Sequence, residues 1–225
     1  MAIRGVNNYE QLMAIARRSM SEAESALERT DETVLLGLFD TAQKFIDFTR
    51  EAPFVAKKTA AAHEFASLFD SSDKIIALAK HSEEAANIIL EDLGEKAFDL
   101  FDTAEKLTAL AKHAPMAAEH LMESGAEKAA ALFDSAEKII ALAKKSPGAA
   151  FAAVWAANYA KNINKLFTSA KQVIKLAKKS PEAALGVVEL GKESIAKLFD
   201  KYSILKLFPR SKKAACKVNR YHNIS

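Results

Sequence analysis

One phenylalanine recurs at a near-fixed interval through most of the chain, and no other feature restricts the fold as strongly. Phe39, Phe69, Phe101, Phe133, Phe167 and Phe199 stand 30, 32, 32, 34 and 32 residues apart. The segments around them repeat as well: LFDTAQKFIDFTREAP, LFDSSDKIIALAKHSE, LFDTAEKLTALAKHAP, LFDSAEKIIALAKKSP and LFTSAKQVIKLAKKSP. A degenerate copy, YEQLMAIARRSM, lies near the start, and a decayed one, LFDKYSILKLFPRS, near the end. A unit of this length cannot bury an apolar face alone, so neighbouring copies have to stack on one another.

On a helix of 3.6 residues per turn, Ala129, Leu132, Phe133, Ala136, Ile139, Ile140 and Ala143 share one side, a stripe wider than a coiled-coil seam. Pro53, Pro115, Ser146-Pro147 and Ser180-Pro181 mark helix starts, because proline fits the first helical position and serine caps it. Gly94, Gly125 and Gly191 mark a second break, with Asp92/Glu95 and Ser124/Glu127 spaced as capping boxes. The reading is therefore all-α: tandem two-helix repeats, each a helix of about 10 residues followed by one of about 20, stacked as an α-solenoid or an elongated helical bundle. Residues 1–35 form a helical cap and half repeat, residues 36–208 the array and residues 209–225 a basic tail. The period is similar to that of tetratricopeptide repeats, but the proline following Ala136 comes at Pro147, too late for that family's pattern.

Composition agrees. Half of the chain is apolar, with seven Gly and five Pro among 225 residues, too few breakers for a sheet protein. The single Cys216 excludes an internal disulfide and fits a reducing compartment. No secretory leader and no membrane-spanning stretch is recognisable, so the expected protein is cytoplasmic, or exported without a cleaved signal peptide, and not integral to a membrane. In these respects the chain resembles secreted effectors of intracellular bacteria, although no motif carries that resemblance.

The familiar catalytic patterns fail one by one. Ser135 and Lys138 have the spacing of some serine acylases, but Ser71/Lys74, Thr103/Lys106 and Thr41/Lys44 occupy the same column, so the pattern belongs to the repeat, as polar residues on the outer helix face. His63-Glu64 begins like a zinc-protease motif, yet Ser67 stands where the second histidine is required. His81 and His113 share a column with Lys145 and Lys179 at a helix C-terminus, where a cation complements the helix dipole. No glycine-rich phosphate loop is present. Hence no catalytic residue, metal ligand, cofactor or small-molecule substrate is expected.

Two features exceed what the repeat requires. The copy with a two-residue expansion holds Trp155, Tyr159, Lys161 and Lys165; its aromatics either fill the space opened by the irregular spacing or form a patch for a protein partner. The second feature is charge. Residues 1–100 carry 11 Lys/Arg against 18 Asp/Glu, a net of −7, and residues 101–225 carry 21 against 11, a net of +10. Lys171, Lys175, Lys178 and Lys179 recur at helical spacing, and the end of the chain adds Lys206, Arg210, Lys212, Lys213, Lys217 and Arg220. These are candidates for an anionic membrane or nucleic acid. The expected function is a non-enzymatic helical-repeat scaffold or adaptor that binds a protein. A lipid-surface protein that opens its amphipathic helices is the first alternative, and an enzyme whose site leaves no motif is the second.

Overall fold

The computed structural model describes residues 5–62 and 65–199, with the side chain of Ala62 left out. The described residues are helical throughout, with sixteen α-helices, one 3-10 turn at Ala66–Leu68 and no strand. They fall into two compact units, Met1–Phe101 and Asp102–Ser225.

The first unit contains α1 (Tyr9–Arg18), α2 (Met20–Leu27), α3 (Glu32–Leu38), α4 (Ala42–Glu51), α5 (Pro53–Ala62), α6 (Ser72–Ala79), α7 (Glu83–Leu93) and α8 (Glu95–Leu100). Its core is aromatic. The Phe39 ring lies 5.2 Å from Phe45, 5.2 Å from Phe48 and 5.5 Å from Phe65, and Phe45 touches Phe65 and Phe69. Tyr9 meets Phe39 edge-on, and its hydroxyl donates to the Lys44 carbonyl at 2.8 Å, which pins α1 to the start of α4. Burial, then the nearby Asp47 carboxylate, pushes the Tyr9 hydroxyl up to about 12 from an ordinary 10.0. A phenol whose folded pKa is raised stabilises the fold fully below its unfolded pKa and loses that contribution as pH rises toward the folded value. Between pH 10 and about 12, wild type is thus expected to lose more stability than Tyr9→Phe. Paired urea melts across that window are the check; parallel losses would place the Tyr9 hydroxyl in water.

The second unit contains α9 (Ala104–His113), α10 (Pro115–Ser124), α11 (Ala126–Leu132), α12 (Ala136–Ala143), α13 (Pro147–Tyr159), α14 (Ile163–Leu166), α15 (Ala170–Ala177) and α16 (Pro181–Ala196). α9, α12 and α15 lie side by side, and α13 packs against α10, α11, α12 and α16. Here the core relies on small residues: Ala149, Ala150, Ala153 and Ala157 of α13 are fully buried. Adding a Cβ to Gly186 would place it 3.4 Å from Phe151 and Val154, so α16 approaches α13 closely at that point.

The expected helix of about 20 residues is in fact two helices. α11 stops at Phe133, α12 begins after Ser135, and the same division recurs at Phe39, Phe69, Phe101 and Phe167. The apolar stripe is continuous across the break because Phe133 and Ala136 are both buried, and so helical periodicity alone hides the bend. The Ser/Thr column therefore stands at the N-cap position rather than on an outer face, with Ser71 holding that place without a side-chain bond. Ser135 Oγ accepts from the Lys138 amide, Thr103 from Lys106 and Thr41 from Lys44, each removing one orphan donor of a helix start.

The conserved spacing of Asp and Lys closes the same elbow. Lys138 Nζ lies 2.9 Å from Asp134 and donates to the Leu132 carbonyl at 3.1 Å, joining the end of one helix to the start of the next. Lys44–Asp40, Lys74–Asp70 and Lys106–Asp102 repeat the pair. The lysine hydrogen bond holds the Asp70 and Asp102 carboxyls below their ordinary range. At the fifth elbow Thr168 and Gln172 replace the acid and the lysine, and Ser169 with Gln172 forms a true capping box.

The boxes expected around the glycines do not form. Gly94 and Gly125 precede α8 and α11 with no side-chain cap, and Ser124 Oγ donates backward to the Leu121 carbonyl instead. Gly94 adopts φ 55, ψ −130, a conformation costly for residues with a Cβ, and the chain is already turned there by its backbone. Near Gly191 the bend falls one residue later, at Lys192 (φ 47, ψ −133). As expected, Phe69, Phe101, Phe133, Phe167 and Phe199 are all buried. No helix among the described residues is long and apolar enough to cross a membrane.

Candidate interaction surface

α13 begins with Ser146, whose Oγ accepts from the Ala149 amide, followed by Pro147 at the first position. Alanine then dominates because four neighbouring helices crowd it. The outward strip has the opposite character. Phe151, Trp155 and Tyr159 follow one another at four-residue steps, the Phe151 and Trp155 rings meet edge to face at 6.1 Å, and Trp155 is 50% and Tyr159 68% exposed. Trp155 thus does not fill the space left by the two-residue expansion, since half of its surface faces water. The extra residues are taken up at the end of α13, where Lys161 turns the chain with φ 55 and the Asn162 amide returns to the Ala157 carbonyl. Lys161 and Lys165 are both exposed at this turn.

A signal for this strip was present in the alignment of the copies. Counting from the residue that opens each helix, the place of Trp155 is held by Glu91, Glu123 and Glu189, and that of Tyr159 by Glu95, Glu127 and Glu193. Positions that carry glutamate in three copies face solvent there, although the same count in α5 reaches the buried Phe65.

The second surface is cationic. Lys171 and Lys175 are exposed on α15, Lys178 caps its C-terminus and Lys179 follows, also exposed. Sequence spacing pointed to these four but missed their neighbours. α9 ends in Lys112-His113, α12 is followed by Lys144-Lys145 and α15 by Lys178-Lys179, and the tertiary packing sets these turns next to each other. Ser180 Oγ donates to the Pro147 carbonyl at 3.0 Å, tying the turn after α15 to the turn after α12. Lys112 and Lys145 border one groove between α9 and α12, of about 350 Å³, floored by Ala104, Thr108, Ala109 and Ala141. Among the described residues, Lys112, Lys144, Lys145, Lys171, Lys175, Lys178 and Lys179 form no ion pair. In the neighbouring pair of helices, Gln172 Nε2 donates to Glu137 at 3.1 Å; that hydrogen bond is the main reason the Glu137 carboxyl sits below its ordinary range.

Lys206, Arg210, Lys212, Lys213, Lys217 and Arg220, like His63, Glu64 and Cys216, lie outside the described residues. Among the described residues no cluster of His, Cys, Asp and Glu is arranged to hold a metal ion. Compared with known proteins, no family model matches the chain, and neither a curated protein nor a solved structure does.

Proposed function

We propose that this chain is a non-enzymatic helical-repeat scaffold, its copies stacked side by side within each unit in the manner of an α-solenoid, and that it binds a protein partner through the outer strip of α13. The observation that carries this reading is the exposure of Trp155 and Tyr159 one turn apart, on a rigid helix, where other copies carry glutamate. Trp and Tyr are the residue types that dominate binding energy at protein interfaces, because each brings a large apolar surface at little entropic cost. Lys161 and Lys165 beside them favour a partner whose rim is acidic.

A photo-crosslinking residue placed at Tyr159, with Glu123 as the control position, tests the reading. The expected result is a discrete protein adduct at position 159 that unlabelled wild type competes away and Trp155→Ala competes roughly 30-fold less well, the loss typical of a hot spot. Equal adducts at both positions, or equal competition by the variant, would overturn it. Folding supplies the control: Trp155→Glu restores the residue of the neighbouring copies and is expected to change stability by no more than about 0.5 kcal/mol, as surface substitutions do.

A further inference from the structure

We infer that the turns after α9, α12 and α15 form a lysine ridge that lies on an anionic phospholipid bilayer, a surface distinct from the α13 strip. The helix dipole explains one cation at each helix end, not the pattern found. Corresponding ends read Arg50-Glu51, Lys80-His81, Lys112-His113, Lys144-Lys145 and Lys178-Lys179, so basic charge accumulates along the chain until both places are lysine. Between Glu137 and Glu182 the sequence holds nine lysines and no acidic residue. Self-repulsion makes such a run unfavourable in the free protein, and an external anion relieves it.

Three observations favour a bilayer over a nucleic acid. Of the Lys and Arg residues, only lysine, a point charge, occurs from 102 to 199, and arginine, the residue suited to bidentate phosphate and base contacts, does not. The ridge is a row of turns, two of them joined through Ser180 and Pro147, with no Trp, Tyr or Phe among its residues on which a base could stack. Met116, 55% exposed, opens the helix that follows Lys112-His113, where a methionine gains by leaving water at a lipid interface. Glu105, which lines the groove together with Lys112 and Lys145, Glu119, which lies against Gly148, and Glu182 are acids on the helices that carry the ridge, and the five lysines of its turns outnumber them.

Cosedimentation of the full chain with phosphatidylcholine vesicles, with and without phosphatidylserine, tests this. Binding is expected only with phosphatidylserine and is expected to fade as salt rises, because exposed charges are screened over about 8 Å at physiological ionic strength. Changing Lys144, Lys145, Lys178 and Lys179 together to Gln should weaken binding roughly 1,000-fold, whereas changing all four to Arg should preserve it. A thermal melt by circular dichroism shows that the Gln variant is folded; if it is not, Lys145→Glu with Lys179→Glu in the intact chain replaces it and should abolish binding. The inference fails if the folded Gln variant binds as wild type does, or if changing Lys206, Arg210, Lys212 and Lys213 to Gln removes all binding by itself. It also fails if duplex DNA or RNA binds more tightly than the vesicles at the same salt.

Discussion

Phe133→Ala is expected to lower the stability of the second unit by about 3–5 kcal/mol, the range for removing a buried phenylalanine when its surroundings relax only partly. Phe133 is fully buried, yet its backbone is also the pivot of the elbow, ending α11 in a bent conformation (φ −94, ψ 55) two residues before the cap of α12. The helices on either side are short, at 7 and 8 residues, and helices of that length do not persist without tertiary contacts. Neither can slide into the cavity without breaking the Lys138–Asp134 pair or the Lys138–Leu132 bond that closes the elbow. Trp155 is the one tryptophan of the chain and belongs to this unit, so its fluorescence during urea unfolding reads the change directly. A loss below about 1 kcal/mol would mean that the elbow closes over the missing ring, outside the usual range for such a site.

The opposite error, too much volume, is expected to be nearly as costly at Ala153. This residue is fully buried on α13, and Ala150 and Ala157, one turn away on either side, are equally enclosed. Because α13 touches α10, α11, α12 and α16, a leucine at position 153 has no open side toward which to turn. Ala153→Leu should therefore destabilise by about 1–3 kcal/mol through off-rotamer packing and displaced helices. Two residues along, Trp155→Glu should do almost nothing. Measuring both by the same circular-dichroism urea melt compares the inner and outer faces of one helix; comparable losses at the two positions would contradict the burial pattern.

The contrast between these two positions also marks the limit of sequence reasoning. Trp155 stood out as the only tryptophan in an expanded copy, but a large aromatic beside an insertion reads equally well as filler or as a patch. What decides is the crowding of α13 by its neighbours, which leaves only one strip open to water. The glutamates at the matching positions of other copies carried the same message locally, because a charge that recurs in a column has to be solvated.

The lysines divide in the same way. Lys171, Lys175, Lys178 and Lys179 are close in sequence, and helical periodicity is enough to associate them. Lys112 and Lys144-Lys145 lie on other helices, and only the lateral packing of α9, α12 and α15 brings their turns together.

By itself the sequence determined that this chain is helical, where its copies begin and that the recurring phenylalanines are buried, since these follow from apolar periodicity, proline placement and repetition, all local properties. Only the tertiary structure decided that the chain bends at Phe39, Phe69, Phe101, Phe133 and Phe167 and does not run on there as one long helix. The apolar stripe is the same in both cases; the difference lies in a serine or threonine that caps the next helix, and in a lysine that reaches back to the carbonyl of the previous one.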